Sequence, residues 1–237
     1  MAKLTLDELV TQLKAAFGDD LQSIVLYGSA AGGEHNPKRS DQNVLVIVRR
    51  VPMQAAKAIS ATATAWSEAG NPPPLVLTES EWRGSADIFP MEYSDILERH
   101  RVLYGTAPFD GITVSVSDLR LQLEHEAMGK LLRLRQAVLA SASNDKKLVE
   151  LMAASASTIM VIFRAVCRLH AQTPERDNEK LVQQVARLTG IDPQPFSRAV
   201  AAHRGAEAVK PADALTAIDG YVGGMERLVS HLDKFGR

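Results

Sequence analysis

At 237 residues the chain is long enough for one large domain or two small ones with a real core. Its 46% hydrophobic and 23% charged content is that of an ordinary globular protein, not a disordered or fibrous one. With 27 basic and 28 acidic side chains the net charge is -1, so no phosphate-neutralising surface dominates and nucleic acid is not the favoured partner. The single cysteine, Cys167, excludes an intramolecular disulfide, suits a reducing compartment, and falls in an apolar helical stretch as a buried structural thiol does. The first residues lack the apolar centre of a signal peptide. The longest apolar run, residues 159–163, is far below the ~20 residues that cross a membrane. The expectation is a cytoplasmic protein with no membrane partner.

Thr5 and Glu8 have capping-box spacing, and Leu9, Val10, Leu13 and Phe17 follow at helical intervals up to Gly18. Residues 23–27 are short, β-branched and apolar, a buried strand that ends at Gly28-Ser29. A polar loop over residues 30–39 leads to a second buried strand, residues 43–48. Residues 53–68 are alanine-rich and helical, stopped by Gly70-Asn-Pro-Pro-Pro74. Residues 74–77 and 89–96 read as further short strands, with residues 82–87 as the connection. Strand and helix thus alternate to about residue 104, the pattern of an α/β layer, and residues 105–111 form a linker. Trp66 and Trp82 read as core or interface anchors.

Beyond the linker the pattern is helical. Ser117-Asp118 reads as a cap, and Leu121, Met128, Leu132 and Leu139 as one apolar stripe. Residues 143–145 break it. A second stripe runs through Leu148, Met152, Ser155, Ile159, Ile162 and Val166. Shorter helices follow at residues 179–188 and after Pro195. Pro211 precedes a last helix carrying Leu215, Ile218, Val222, Met225, Leu228 and Leu232. The expected organisation is residues 1–112 as an α/β (α+β) domain with a mixed sheet and residues 113–237 as an all-α bundle, with the cleft between them as the expected site.

The chemistry concentrates between residues 27 and 46. Gly28 lets a backbone approach a phosphate closely, and Ser29 offers a hydroxyl and an amide. Along a strand, side chains alternate faces, so Asp41 and Asn43 project to one side and Gln42 to the other. Oxygen ligands paired in this way suit Mg²⁺ beside a phosphate-holding turn. Lys38 and Arg39, in the loop before Asp41, are either phosphate contacts or a solvated surface.

Tyr27-Gly28-Ser29, the loop through Ser40, and Asp41-Gln42-Asn43-Val44 resemble the signature of the DNA polymerase β-like nucleotidyltransferase superfamily, with Asn43 where that signature carries a second Asp. The resemblance reaches to about residue 104. It implies phosphate binding by Gly28, Ser29 and Ser40, and metal binding by Asp41 and Asn43. It also implies a third acid on a later strand, Asp95 by similarity to the aminoglycoside adenylyltransferases, or else Glu92. The implied activity is Mg²⁺-dependent transfer of a nucleoside monophosphate from a triphosphate, ATP above all, to a hydroxyl of a small molecule or protein. Because Asn43 removes one formal charge, the alternative is a catalytically impaired nucleotide-binding or regulatory protein. Arg164 and His170 also match the loose Arg-to-His spacing of HEPN-type ribonucleases, although Ala165 follows where a polar residue is common; a structural role is the favoured reading.

Overall fold

The computed structural model describes residues 4–31, 42–206 and 208–236. The chain divides into two compact units, Met1–Val114 and Ser115–Arg237.

In the first unit, α1 (Leu6–Phe17) opens on the expected capping box. The Thr5 N–H donates to Glu8 Oε2 at 2.8 Å, and the Glu8 N–H donates to Thr5 Oγ1 at 3.3 Å. There follow β1 (Leu21–Tyr27), β2 (Asn43–Val48), α2 (Met53–Glu68), β3 (Leu75–Thr78), α3 (Glu79–Gly84), α4 (Pro90–Glu98) and β4 (His100–Gly105). The sheet order is β3-β2-β1-β4; β1 runs antiparallel to both neighbours, and β2 runs parallel to β3 across the α2 crossover. The central strands are apolar on both faces because both faces are covered. Ile24, Leu26, Val44, Val46 and Val48 pack with Leu9, Leu13 and Phe17 of α1 and Trp66 of α2. Val25, Leu45 and Ile47 face the other way, onto Trp82, Tyr93 and Ile96.

Residues 89–96, read from sequence as a strand, are helical. Pro90 sits in the first turn, where its missing N–H is tolerated, and Pro90, Tyr93 and Ile96 recur at three-residue steps on the buried face. The last strand of the sheet is instead β4, within residues placed at the α/β boundary and linker. Gly105 ends it at φ +77°, and a Cβ there would lie 1.9 Å from the Gln22 carbonyl oxygen. Neither the backbone angle nor the space admits a side chain. Gly105→Ala is therefore expected to destabilise the chain by about 2 kcal/mol or more, read as a fall in the urea midpoint at unchanged slope.

The second unit holds α5 (Val116–Ser141), α6 (Asp145–Leu169), α7 (Asn178–Thr189), α8 (Gln194–His203) and α9 (Ala214–Lys234). The cap of α5 is Ser115, whose Oγ accepts from the Asp118 N–H, two residues ahead of the expected cap. The stripe read for α5 is also corrected. Leu119, Leu123, Ala127, Leu131 and Leu134 enter the core, whereas Leu121, Met128, Leu132 and Leu139 are exposed. A helix apolar on two sides does not reveal by periodicity which side the core takes. On α6 the expected stripe is buried throughout. By length and composition α6 could cross a membrane, which an uninterrupted apolar run of five residues did not suggest; half of its most apolar window lies inside the bundle. Cys167 is fully buried there, and burial pushes its thiol up to about 11. Ser155 and Tyr221 share a buried hydrogen bond of 3.0 Å between α6 and α9.

Arg164 and His170 engage different neighbours. Arg164 donates to the Asn178 side chain at 2.8 Å and to the Met160 carbonyl at 3.2 Å. His170, at the end of α6, meets His231 of α9 with 3.1 Å between Nε2 atoms, both rings lying near Phe235. That bond needs one imidazole as donor and a neutral one as acceptor. Burial holds both rings below their ordinary value of 6.5, and for His170 the neighbouring His231 adds to it. The unfolded chain therefore binds protons that the folded chain resists, so this contribution to stability is present above about pH 6.5 and is lost as the pH falls through the folded values. Replacing both with glutamine is expected to flatten the dependence of the urea midpoint on pH between about 7 and 5 relative to the parent protein.

Candidate functional site

Three strands deliver the candidate site to one edge of the first unit. Tyr27, the last residue of β1, lies in register with Asn43 of β2 on one side and His100 of β4 on the other. The chain then turns through a single tight helical turn, Gly28–Ala30. Gly28 adopts φ +77°, donates its N–H to the Arg99 carbonyl at 3.0 Å, and accepts the Ala31 N–H at 3.1 Å. A Cβ at Gly28 would stand 3.4 Å from Asn43 Nδ2 and 3.7 Å from Asp95 Oδ2. The Asn43 amide and the Asp95 carboxylate thus border the same small space beside the glycine.

The helical conformation of α4 changes how the two candidate acids relate. On a strand, residues 92 and 95 would project to opposite faces; on a helix, positions three apart share one. Glu92 and Asp95 accordingly act together on the Tyr27 phenol. Its proton affinity is raised first by burial and then by the negative charge of Asp95 and of Glu92.

Aromatic packing holds α4 in place. Tyr93 stacks on Trp82 with centroids 4.2 Å apart and donates its hydroxyl to the Trp82 carbonyl at 2.6 Å. Burial pushes this phenol up to about 12. The Trp82 indole donates to the Pro108 carbonyl at 2.6 Å. Both Trp66 and Trp82 are buried, as read from sequence. His100 packs on Phe109 and places Nδ1 2.9 Å from the Ile96 carbonyl. A carbonyl only accepts, so Nδ1 is the donor in this contact. On the β2 side, the Gln42 N–H donates to Asn71 Oδ1 at 3.0 Å, fixing the entry to the strand.

The structure therefore brings Gly28, Asn43 and Asp95 together, and Glu92 joins Asp95 in acting electrostatically on Tyr27. Lys38, Arg39, Ser40 and Asp41 lie outside the described residues, as does the side chain of Ser29. Sequence reasoning missed two contributors. Tyr27 stood in the motif without a role, and the Arg99 carbonyl holds Gly28 through a backbone contact that no side-chain pattern signals.

Among the described residues no three His, Cys, Asp or Glu side chains converge as a metal site. What borders Gly28 is a pair of oxygen donors: the carboxylate of Asp95 and the amide of Asn43, which a half-turn of its side chain presents through Oδ1. One or two carboxylates completed by substrate phosphates is the usual arrangement for Mg²⁺, and this donor set fits it.

No known family model matches the chain, and no curated protein matches it in sequence. Among solved structures it is similar to a spectinomycin adenyltransferase from Enterococcus faecialis, determined with ATP and spectinomycin. The TM-score is 0.57 at 10% identity, over 93% of this chain and 98% of that one. The fold is thus nucleotidyltransferase-like: an N-terminal α/β region on a mixed sheet, followed by a helical region.

The charge arrangement is open to test without any ligand. Asp95→Asn should lower the pKa of the Tyr27 phenol, and Glu92→Gln should do so to a smaller extent, in a tyrosinate absorbance titration with Tyr27→Phe to assign the transition. An unmoved Tyr27 transition in both variants would place the carboxylates elsewhere.

Proposed function

We propose that the chain is a Mg²⁺-dependent nucleotidyltransferase that moves a nucleoside monophosphate from a triphosphate to the hydroxyl of a small molecule or protein. The observation that carries this reading is the convergence of Gly28, Asn43 and Asp95 where β1, β2 and α4 meet. The ATP and spectinomycin of the structural neighbour support ATP as donor and a small molecule as acceptor.

In this reading Gly28 and Ser29, with Ser40, hold the β and γ phosphates through backbone amides and hydroxyls. Asp41 and Asn43 hold Mg²⁺, with Asp95 or Glu92 completing its ligands. When bound, Mg²⁺ neutralises phosphate charge and polarises the reacting phosphoryl group. Asp95, or Glu92 in its place, takes the proton from the acceptor hydroxyl as that oxygen bonds to the α-phosphorus and pyrophosphate departs. The Tyr27 phenol, whose proton affinity burial and then the charges of Asp95 and Glu92 raise, keeps its proton.

Asn43 supports a second reading, a nucleotide-binding protein on the same fold whose turnover has been impaired. An amide oxygen can ligate a cation but brings no charge, and loss even of a supporting ligand costs roughly 10–100-fold in metal affinity or activity.

Calorimetry with each common triphosphate and Mg²⁺, followed by transfer assays with radiolabelled ATP, separates the readings. Under the first, the native protein binds and transfers, and Asp95→Asn lowers transfer by about 100-fold or more while binding persists. Under the second, the native protein binds without transfer, and Asn43→Asp raises metal affinity or creates turnover. Absence of any triphosphate binding at millimolar ligand and metal would sink both.

A further inference from the structure

We propose that α5 is a self-association surface, pairing antiparallel with α5 of a second copy of this chain. Leu121, Met128, Leu132 and Leu139 are 63%, 41%, 48% and 83% exposed, and they share the flank opposite the buried Leu119, Leu123, Ala127, Leu131 and Leu134. Apolar residues scattered singly on a surface need no explanation. Four along one line of one helix form a strip, which at about 1.5 Å per residue runs about 27 Å.

The order of the strip selects its occupant. Leu121 and Leu139 are equidistant from residue 130, and so are Met128 and Leu132. A two-fold axis crossing the helix at that level sets Leu121 of one copy against Leu139 of the other, and Met128 against Leu132, twice each. An isologous interface must complement itself in this way. A different partner would place no such condition on the spacing.

The charges beside the strip follow the same symmetry. Glu124 and Arg135 lie on one flank about three helical turns apart, and the two-fold brings Glu124 of one copy beside Arg135 of the other. Each already has an intrachain partner, Arg120 at 2.6 Å and Glu226 at 2.7 Å, so pairing extends two existing ion pairs into a network and sets no like charges together. On the other flank His125 comes beside Gln136. Between α5 and α9 a groove of about 430 Å³, lined by Met128, Leu131, Val229 and Glu226 among others, adjoins the strip and gives it a recess. One helix pair falls short of the ~800 Å² per partner of a standard stable interface, so the dimer is reversible.

Sedimentation equilibrium on the full chain, from low to high micromolar, should show a reversible monomer–dimer system. Leu132→Glu should weaken it by about 10-fold or more, with an unchanged circular dichroism melt because the side chain is not in the core. To fix the orientation, Leu121→Cys protein is mixed with Leu139→Cys protein under mild oxidation, the native Cys167 being buried. The expected product is the mixed 121–139 disulfide, in excess over either like-with-like product. A monomer across the whole range, a dimer indifferent to Leu132→Glu, or a preference for 121–121 cross-links would each overturn the proposal.

Discussion

The hydrogen bond from the Gly28 N–H to the Arg99 carbonyl is the constraint on which the candidate site depends. It ties the end of β1 to the junction between α4 and β4, two places far apart in the chain. It forms because Gly28 takes a positive φ, which turns the chain out of the sheet immediately after Tyr27. With that tie made, α4 lies over the face carrying Val25, Leu45 and Ile47, and its Asp95 reaches the space beside Gly28. A side chain at residue 28 would demand room in that same space. The glycine therefore serves the backbone turn and the approach of Asn43 and Asp95 together.

Much of the first unit is legible from sequence because its signals are local. The Thr5–Glu8 box, the unbroken apolar runs of β1 and β2 and the alanine-rich α2 each follow from residues within a few positions of one another. Residues 89–96 mislead for the same reason. Met91, Tyr93 and Asp95 alternate as one strand face would; only the packing of Tyr93 and Ile96 against Trp82 shows that the three-residue period wins. In α5 the helix was legible, but its inward side was not. Two apolar sides compete there, and which is covered is set by helices that follow later in the chain. Contacts such as His170 with His231, 61 residues apart, leave no spacing signal at all.

The same distinction applies within the site. The motif residues Gly28 and Asn43 stand out because their types and order are unusual for a strand edge. The contribution of Tyr27 is electrostatic and long-range, arising from carboxylates on an element that sequence placed as a strand. Once residues 92–95 are helical, the choice between Glu92 and Asp95 changes character, since one helix face carries both toward the same phenol.

The character of Asn43 follows from that crowding. The Asp95 carboxylate already borders the space that Asn43 shares, and a carboxylate at residue 43 would add like-charge repulsion, about 4 kcal/mol for two charges about 4 Å apart at an effective dielectric near 20. In a site of three acids, a cation relieves that repulsion and is bound strongly for that reason. With an amide at residue 43 the repulsion is smaller, so the protein gains less from holding a cation before substrate arrives. Under the proposed function, the attraction for Mg²⁺ then has to come in larger part from the phosphates of the nucleotide. The site would take up the metal with the triphosphate, in place of waiting with metal already bound. Asn43 in this view shifts where the metal's binding energy originates, from the protein toward the substrate.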